Sequence, residues 1–564
     1  MKKTLLLTSL VASMVAMAGT TGSVEAYNEN EATFVKGAKP TFVAKKTGVK
    51  TEVKVEGTGF SFGGEFKAED LELGNVTKAN YLNHSSVWAK YELPEIKGVK
   101  TYVKATVSPK FESHLSYEKV PTAESLNAVE SEVNKLVNGL DDAKAKEKLA
   151  KEAEKEGFTF VAKSIKNSKA KVATLKELLV TAKKSKIQQN IDAATKNNKT
   201  PKYIDKGSAE LEGQVSYKYN GFTFGLNSKT NFPLSNEEYT YENDSFILSS
   251  VKDYGKLVKS THKLFVESEE GKDVFVKGLK DVKANVEVKH DYRKIEKDHK
   301  ASEAVEYVSG EVSAKYDAVK DLELEGKVAF KKNVSGEKIG DYEVLGTKLF
   351  KESPARYIHS YELKGTYKGV KHLTLSAKPF VAHVNLSKDE QSREDKVLYG
   401  VELDAEYKML NDKLTLTGKS LLAGLHDRAF DGTLAPQGSQ LTKTNAGVFV
   451  FDANAKYDYS VTDKFTVSPE ANANLKLLVL KPVDKLETLP TLTLTPKVSA
   501  KYVPVEGLTI EGVVSVPVKF GVVTKSFEKT AADADTYSKE KPVMGFGYDS
   551  TSIKTSLNLK YEWK

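Results

Sequence analysis

The chain holds nine histidines and no cysteine, so its acid–base and metal chemistry rests on imidazoles and carboxylates. His262, His290, His299, His359, His372, His383 and His426 fall in no His-Glu-x-x-His pattern and form no close ligand pair along the chain. Each reads as a surface or lumen residue. Without cysteine, thiol catalysis, disulfide staples and thiolate metal sites are excluded. Gly57-x-Gly59 followed by Gly63-Gly64 has the look of a nucleotide loop, but Phe60 and Phe62 interleave and no helix pattern follows to seat a phosphate. It reads as a glycine–aromatic strand. A phosphate-loop lysine motif and a Gly-x-Ser-x-Gly elbow are both missing from the sequence. The expectation is therefore a protein that is not an enzyme, with no catalytic, cofactor-binding or metal-binding residues and no cofactor.

What must such residues stand on? The chain has 564 residues, 40% of them hydrophobic and 29% charged, with a mean hydropathy of -0.42. That composition excludes a bundle of membrane-spanning helices. The formal charge of +8 arises from 85 basic and 77 acidic residues, which describes a surface of mixed sign. Arg293, Arg356, Arg393 and Arg428 are the only arginines; every other basic residue is lysine. Reading phosphates or guanines depends on guanidinium forks, so nucleic acid is not an expected partner.

The first residues carry an export signal. Lys2 and Lys3 precede an apolar stretch from Leu5 to Ala18, and Val24-Glu25-Ala26 offers compact residues to a signal peptidase. This predicts a signal peptide over 1–26, cleaved after Ala26, and a mature domain over 27–564.

Most of the mature sequence alternates with period two, as strands with one apolar and one polar face do. Val53, Val55, Phe60 and Phe62 mark the first stretch, and Val282, Val286 and Val288 another, between Lys283, Glu287 and Lys289. A hairpin pattern then repeats: a small residue, any residue and tyrosine, a short polar turn, and a new alternating strand. Its tyrosines are Tyr316, Tyr367, Tyr407, Tyr457 and Tyr502, spaced about 40 to 50 residues apart, a period that holds two strands and their connections. Connections alternate short and long, as in an up-and-down barrel with trim turns on one side and long loops on the other. At strand ends beside short turns, the five tyrosines suit an aromatic girdle at a membrane interface.

Residues 121–202 break the pattern. Leu126, Val129, Val133, Leu136, Val137 and Leu140 follow helical spacing, as do Val172, Leu175, Leu178 and Leu179. This helical insert belongs to the long-loop side, as an external cap or, as favoured here, in the lumen or its mouth.

The last strand alternates most cleanly. Ile553, Thr555, Leu557, Leu559, Tyr561 and Trp563 share one face, and Lys554, Ser556, Asn558, Lys560 and Glu562 share the other. Here the sequence resembles the bacterial outer-membrane β-barrel class, whose closing strand ends in an aromatic residue read by the assembly machinery. In this chain Lys564 follows that aromatic residue. The resemblance implies an all-β, antiparallel, up-and-down transmembrane barrel, with Leu557, Leu559, Tyr561 and Trp563 as the assembly signal. Its expected size is roughly 16 to 20 strands. The implied location is the bacterial outer membrane, and the implied function a porin-like channel for passive diffusion of small polar solutes and ions. Outer-membrane lipid, the barrel-assembly machinery and the solutes themselves are then the partners, with a homotrimer as the assembly this class allows. A surface adhesin or surface-layer structural protein is the alternative, since it would share export, lysine-rich strands and the lack of cysteine.

Overall fold

In the computed structural model the described residues are 19–35, 38–72, 84–110, 123–199, 202–203, 205–242, 245–294, 301–334, 343–344, 347–348, 355–387, 393–426, 446–480, 487–529 and 540–563. They divide into two compact units, a barrel and a module formed by residues 113–205 and 235–252.

The barrel is one antiparallel sheet of 20 strands among the described residues, each paired to its neighbours in sequence. Its strands are β1 (Thr20–Val35), β2 (Thr41–Val55), β3 (Phe60–Glu72), β4 (Ser86–Glu92), β5 (Val99–Pro109), β6 (Gly207–Tyr219) and β7 (Phe222–Pro233). There follow β8 (Lys259–Ser268), β9 (Leu279–Asp291), β10 (Val305–Tyr316), β11 (Leu322–Asn333), β12 (Ala355–Val370), β13 (Leu373–Ser387), β14 (Arg393–Met409) and β15 (Leu414–His426). The last five are β16 (Ala446–Tyr457, continued as Tyr459–Thr462), β17 (Phe465–Leu480), β18 (Glu487–Tyr502), β19 (Leu508–Ser515, continued as Val518–Lys529) and β20 (Glu540–Trp563). The break in β19 falls at Val516-Pro517, where proline has no N–H to give the ladder. Closure comes from β1, which pairs with β2 from Thr20 to Thr33 and with β20 from Gly22 to Val35. No edge of the sheet is left to water or lipid at that seam.

Short turns gather at one end. Asn220 and Gly221, both at positive φ (46° and 80°), make the two-residue hairpin turn whose twist matches the strands it joins. Lys371-His372 and Asp463-Lys464 also join neighbouring strands through two residues. The long connections lie at the other end, and β1 starts and β20 finishes at the tight-turn end. Strands β12, β14 and β17 run 16, 17 and 16 residues, beyond the about 10 that a tilted strand needs to cross a bilayer.

Alternation sorts the side chains. Val312, Tyr361, Leu363, Leu403, Val498, Val514 and Leu557 point outward and are exposed, Leu403 by 48%. Apolar side chains this exposed, all on one face of a closed sheet, form a surface that water would penalise and hydrocarbon would not.

Ala26, the expected last residue of the leader, lies inside β1 instead, opposite Leu559 of β20 and Val49 of β2. Thr20–Ala26, within the expected leader, supply hydrogen-bond partners to the lower halves of β2 and β20.

The second unit has its own core. Helices α1 (Ala123–Val137), α2 (Asp142–Lys155), α3 (Thr159–Asn167) and α4 (Val172–Lys199) bury Val129, Val133, Leu149, Ile165, Leu175 and Leu179 against one another. The apolar stripes read from the sequence are thus spent within the module, although Leu178 stays exposed. Asp141 caps α2 by accepting the Lys144 backbone N–H at 2.9 Å, which holds its carboxyl below the usual aspartate range. Sequence reading missed a second contribution: the hairpin Glu237–Glu242 with Ser245–Val251, entered after β7, pairs with Lys202–Tyr203. Two excursions from the long-loop end of the barrel therefore build one module. No helix among the described residues is long and apolar enough to cross a membrane.

The face assignment predicts opposite fates for two arginine substitutions. Leu403→Arg puts charge on the outward face at a cost of about 2 to 4 kcal/mol near a bilayer midplane, and the heat-modifiable folded fraction should fall. Thr417→Arg points inward and should leave that fraction unchanged; equal tolerance of both would remove the lipid-facing band.

Candidate channel lumen

The inward residues of β1 to β8 form a connected polar wall. Tyr27 Oη donates to Glu65 at 2.6 Å, and Asn558 Nδ2 donates to Glu25 at 2.7 Å across the seam. Glu212 Oε1 accepts from Tyr102 Oη at 2.8 Å and from Asn227 Nδ2 at 3.0 Å. Trp88 also faces inward, beneath the Lys104 ammonium 5.0 Å from its ring. Gly63 makes room for that indole: a Cβ there would stand 2.8 Å from Cζ2. The glycine–aromatic reading of the stretch after Gly57 thus has a packing reason, with Gly57 and Gly59 at positive φ in the turn from β2 to β3.

Around the rest of the wall, lysines and carboxylates alternate across strand pairs. Lys327 lies 2.7 Å from Glu311, Lys378 2.8 Å from Glu402, Lys497 2.8 Å from Glu470, and Lys554 3.4 Å from Glu31. Opposite charges on one face of neighbouring strands attract, so the wall is largely compensated in sign. Glu306 is the most buried of these carboxylates at 2% side-chain exposure. It sits at an irregularity in the β9–β10 register and is paired by Lys289 at 2.6 Å and by Lys259.

One sector departs from the expected polar interior. Phe380, Leu398, Leu421, Val448, Val450 and Leu478 point inward from β13 to β17 and are each at most 6% exposed. Period two distinguishes two faces; it does not tell which stretch of the inner face meets water.

Histidines that looked isolated in the sequence are brought together by pairing. His262 and His290 approach Nε2 to Nε2 at 3.0 Å, with Ser228 Oγ 2.9 Å from His262 Nδ1. His359 and His383 stand directly opposite each other on β12 and β13. Both pairs share the outward face with Leu264 and Tyr361. Among the described residues no group of three or more histidines, aspartates and glutamates could hold a metal ion. His299 lies outside the described residues.

All five repeat tyrosines lie at the tight-turn end and face outward, Tyr316, Tyr367, Tyr407 and Tyr502 being exposed and Tyr457 partly so. Phe465 meets Tyr502 edge to face, with ring centroids 6.1 Å apart. At the end of β20, Tyr561 stacks on Trp563, whose indole lies over Gly22 of β1; a Cβ on Gly22 would come within 2.6 Å of it. Leu557 and Leu559 continue the same outward face.

Strands with an apolar outer face and a closed seam satisfy the conditions hydrocarbon imposes on a backbone. The chain folds as a closed antiparallel β-barrel with an apolar outer face. No protein-family profile matches it, and no curated protein matches it in sequence. The barrel is similar to the crystal structure of OccAB4 from Acinetobacter baumannii at 8% identity and a TM-score of 0.35, covering 97% of this chain and 99% of that one. For OpdQ from Pseudomonas aeruginosa the values are 8%, 0.38, 97% and 100%. For the siderophore receptor PirA from Pseudomonas aeruginosa they are 9%, 0.41, 97% and 80%. Likenesses this distant say nothing of what the barrel carries.

At the tight-turn rim, Glu269 is held by Lys218 on one side and Lys272 on the other, and its backbone N–H donates to Gly221 at 2.9 Å. The side-chain hydrogen bonds from Lys218 and Lys272 lower its pKa from 4.5 to about 2. Because the folded value is lowered, the clamp stabilises the loop 269–278 above pH 4.5 and is lost progressively as pH falls through about 2. Glu269→Gln should therefore speed proteolytic nicking within 269–278 at neutral pH in the solubilised barrel; unchanged nicking would mean the clamp holds nothing.

The charge ladder yields a second expectation. Lys378→Gln leaves Glu362 and Glu402 without their shared cation, so a channel through this barrel should shift toward cations in reversal potential under a salt gradient. Folded stability should change by less than about 1 kcal/mol, as for other solvated ion pairs.

Proposed function

We propose that the barrel is a porin-like outer-membrane channel through which small polar solutes and ions diffuse passively. The observation that carries this reading is the closed circle of 20 strands with charge-compensated inner ladders. With strands about 4.8 Å apart and tilted by about 40°, such a circle is roughly 40 Å across from backbone to backbone, which leaves room for water inside. Carboxylates and ammonium groups paired across strands hold water without a strong field of one sign. Selectivity then follows from bore and local charge rather than from a closed pocket. The outward tyrosines at the tight-turn end fit the periplasmic headgroup level. Self-association through the apolar outer face, as a homotrimer, is compatible with this arrangement.

Purified protein in planar bilayers should give stepwise ohmic conductance. Its absence from a heat-modifiable, folded preparation would refute the channel. Orientation can be tested on the same cysteine-free background: a cysteine at Lys39, in the exposed connection between β1 and β2, should label on intact cells, and one at Asn411, in the tight turn after β14, should not. The opposite pattern would invert the barrel.

A further inference from the structure

We infer that leader cleavage follows Ala18 and that Gly19 is the first residue of the mature barrel. Two independent observations meet at that bond. The first is in the sheet: every residue from Thr20 to Ala26 is paired with β2, Thr20 opposite Val55 and Ala26 opposite Val49, and Gly22 to Ala26 are paired with β20 as well. Gly19 is already engaged, its carbonyl accepting the Glu56 backbone N–H at 2.9 Å. The second is in the sequence: Ala16-Met17-Ala18 sets small residues one and three positions before Gly19, directly after the apolar stretch that begins at Leu5. The first residue the barrel bonds is thus the first residue such a cleavage would leave.

Cleavage after Ala26 would leave the seam closed only from Tyr27 to Val35. It would strip β2 from Val49 to Val55 and β20 from Leu559 to Trp563 of their partners and open both as edges facing hydrocarbon, where no water can replace the lost hydrogen bonds. It would also remove Gly22, over which the Trp563 ring lies. The closing aromatic residue and the first turn of β1 form one joint. This inference concerns maturation and stands or falls apart from conduction.

N-terminal sequencing of the protein extracted from outer membranes tests it directly. A chain starting at Gly19 is expected, and one starting at Tyr27 overturns the inference. Ala18→Tyr places a bulky side chain beside the bond and should accumulate the uncleaved precursor, whereas Ala26→Tyr should mature normally with its ring facing lipid. The reverse pattern would return cleavage to Ala26. A variant lacking residues 19–26, with the leader joined directly to Tyr27, should lose the heat-modifiable folded form; wild-type folding of that variant would show that the seam does not need these residues.

Discussion

A strand in hydrocarbon has no water to satisfy its N–H and C=O groups, so each must pair with a neighbour, and a sheet can do this everywhere only by closing on itself. In this chain the condition is met at the joint between β1 and β20, where Gly22–Val35 runs antiparallel to Ser550–Trp563. Every other pair in the barrel lies between strands adjacent in sequence. The seam alone joins the two ends of the chain, which makes the first strand as consequential as the last.

Closure also organises the side chains. Once the sheet is a ring, period two becomes inside and outside, and glycine acquires a definite use where a ring must lie flat on a neighbouring strand. Gly22 under Trp563 on the outer face, Gly63 under Trp88 on the inner face and Gly225 against Phe265 are examples. The charged residues, so numerous that the sequence is hydrophilic on average, line the inner face as compensated pairs and leave the outer face to Val, Leu and Tyr. A mean hydropathy below zero and a membrane-spanning wall are thus consistent, because half of each strand never meets lipid.

Where register follows from a local turn, the site could be read in advance. The Asn220-Gly221 turn places Gln214 opposite Asn227 and Glu212 opposite Lys229, so the Asn227 side of the Glu212 network follows from counting outward along one hairpin, whereas Tyr102 comes from β5 across the helical insert. Longer connections hide the register. Nothing near His262 in the sequence points to His290, and the Lys378–Glu402 pair spans a connection whose length does not set a strand offset. The same limit explains the buried apolar sector around Leu398 and Leu421: alternation places these residues inside, and only their surroundings keep water from them.

By itself, then, the sequence determined what depends on neighbours along the chain. Alternation dictated strands, Asn-Gly and similar pairs dictated tight turns, the spacing of Val129, Val133 and Leu179 dictated helices, and the repeated tyrosines marked one end of the wall. Tertiary structure decided what depends on partners distant in sequence: that the described residues close a ring of 20 strands, that a second excursion completes the helical module, and that Gly22–Ala26 pairs across the seam. The physical reason is one of range. Propensity and periodicity act over a few residues, whereas the seam pairing of Ala26 is made to Leu559, on a strand at the far end of the sequence.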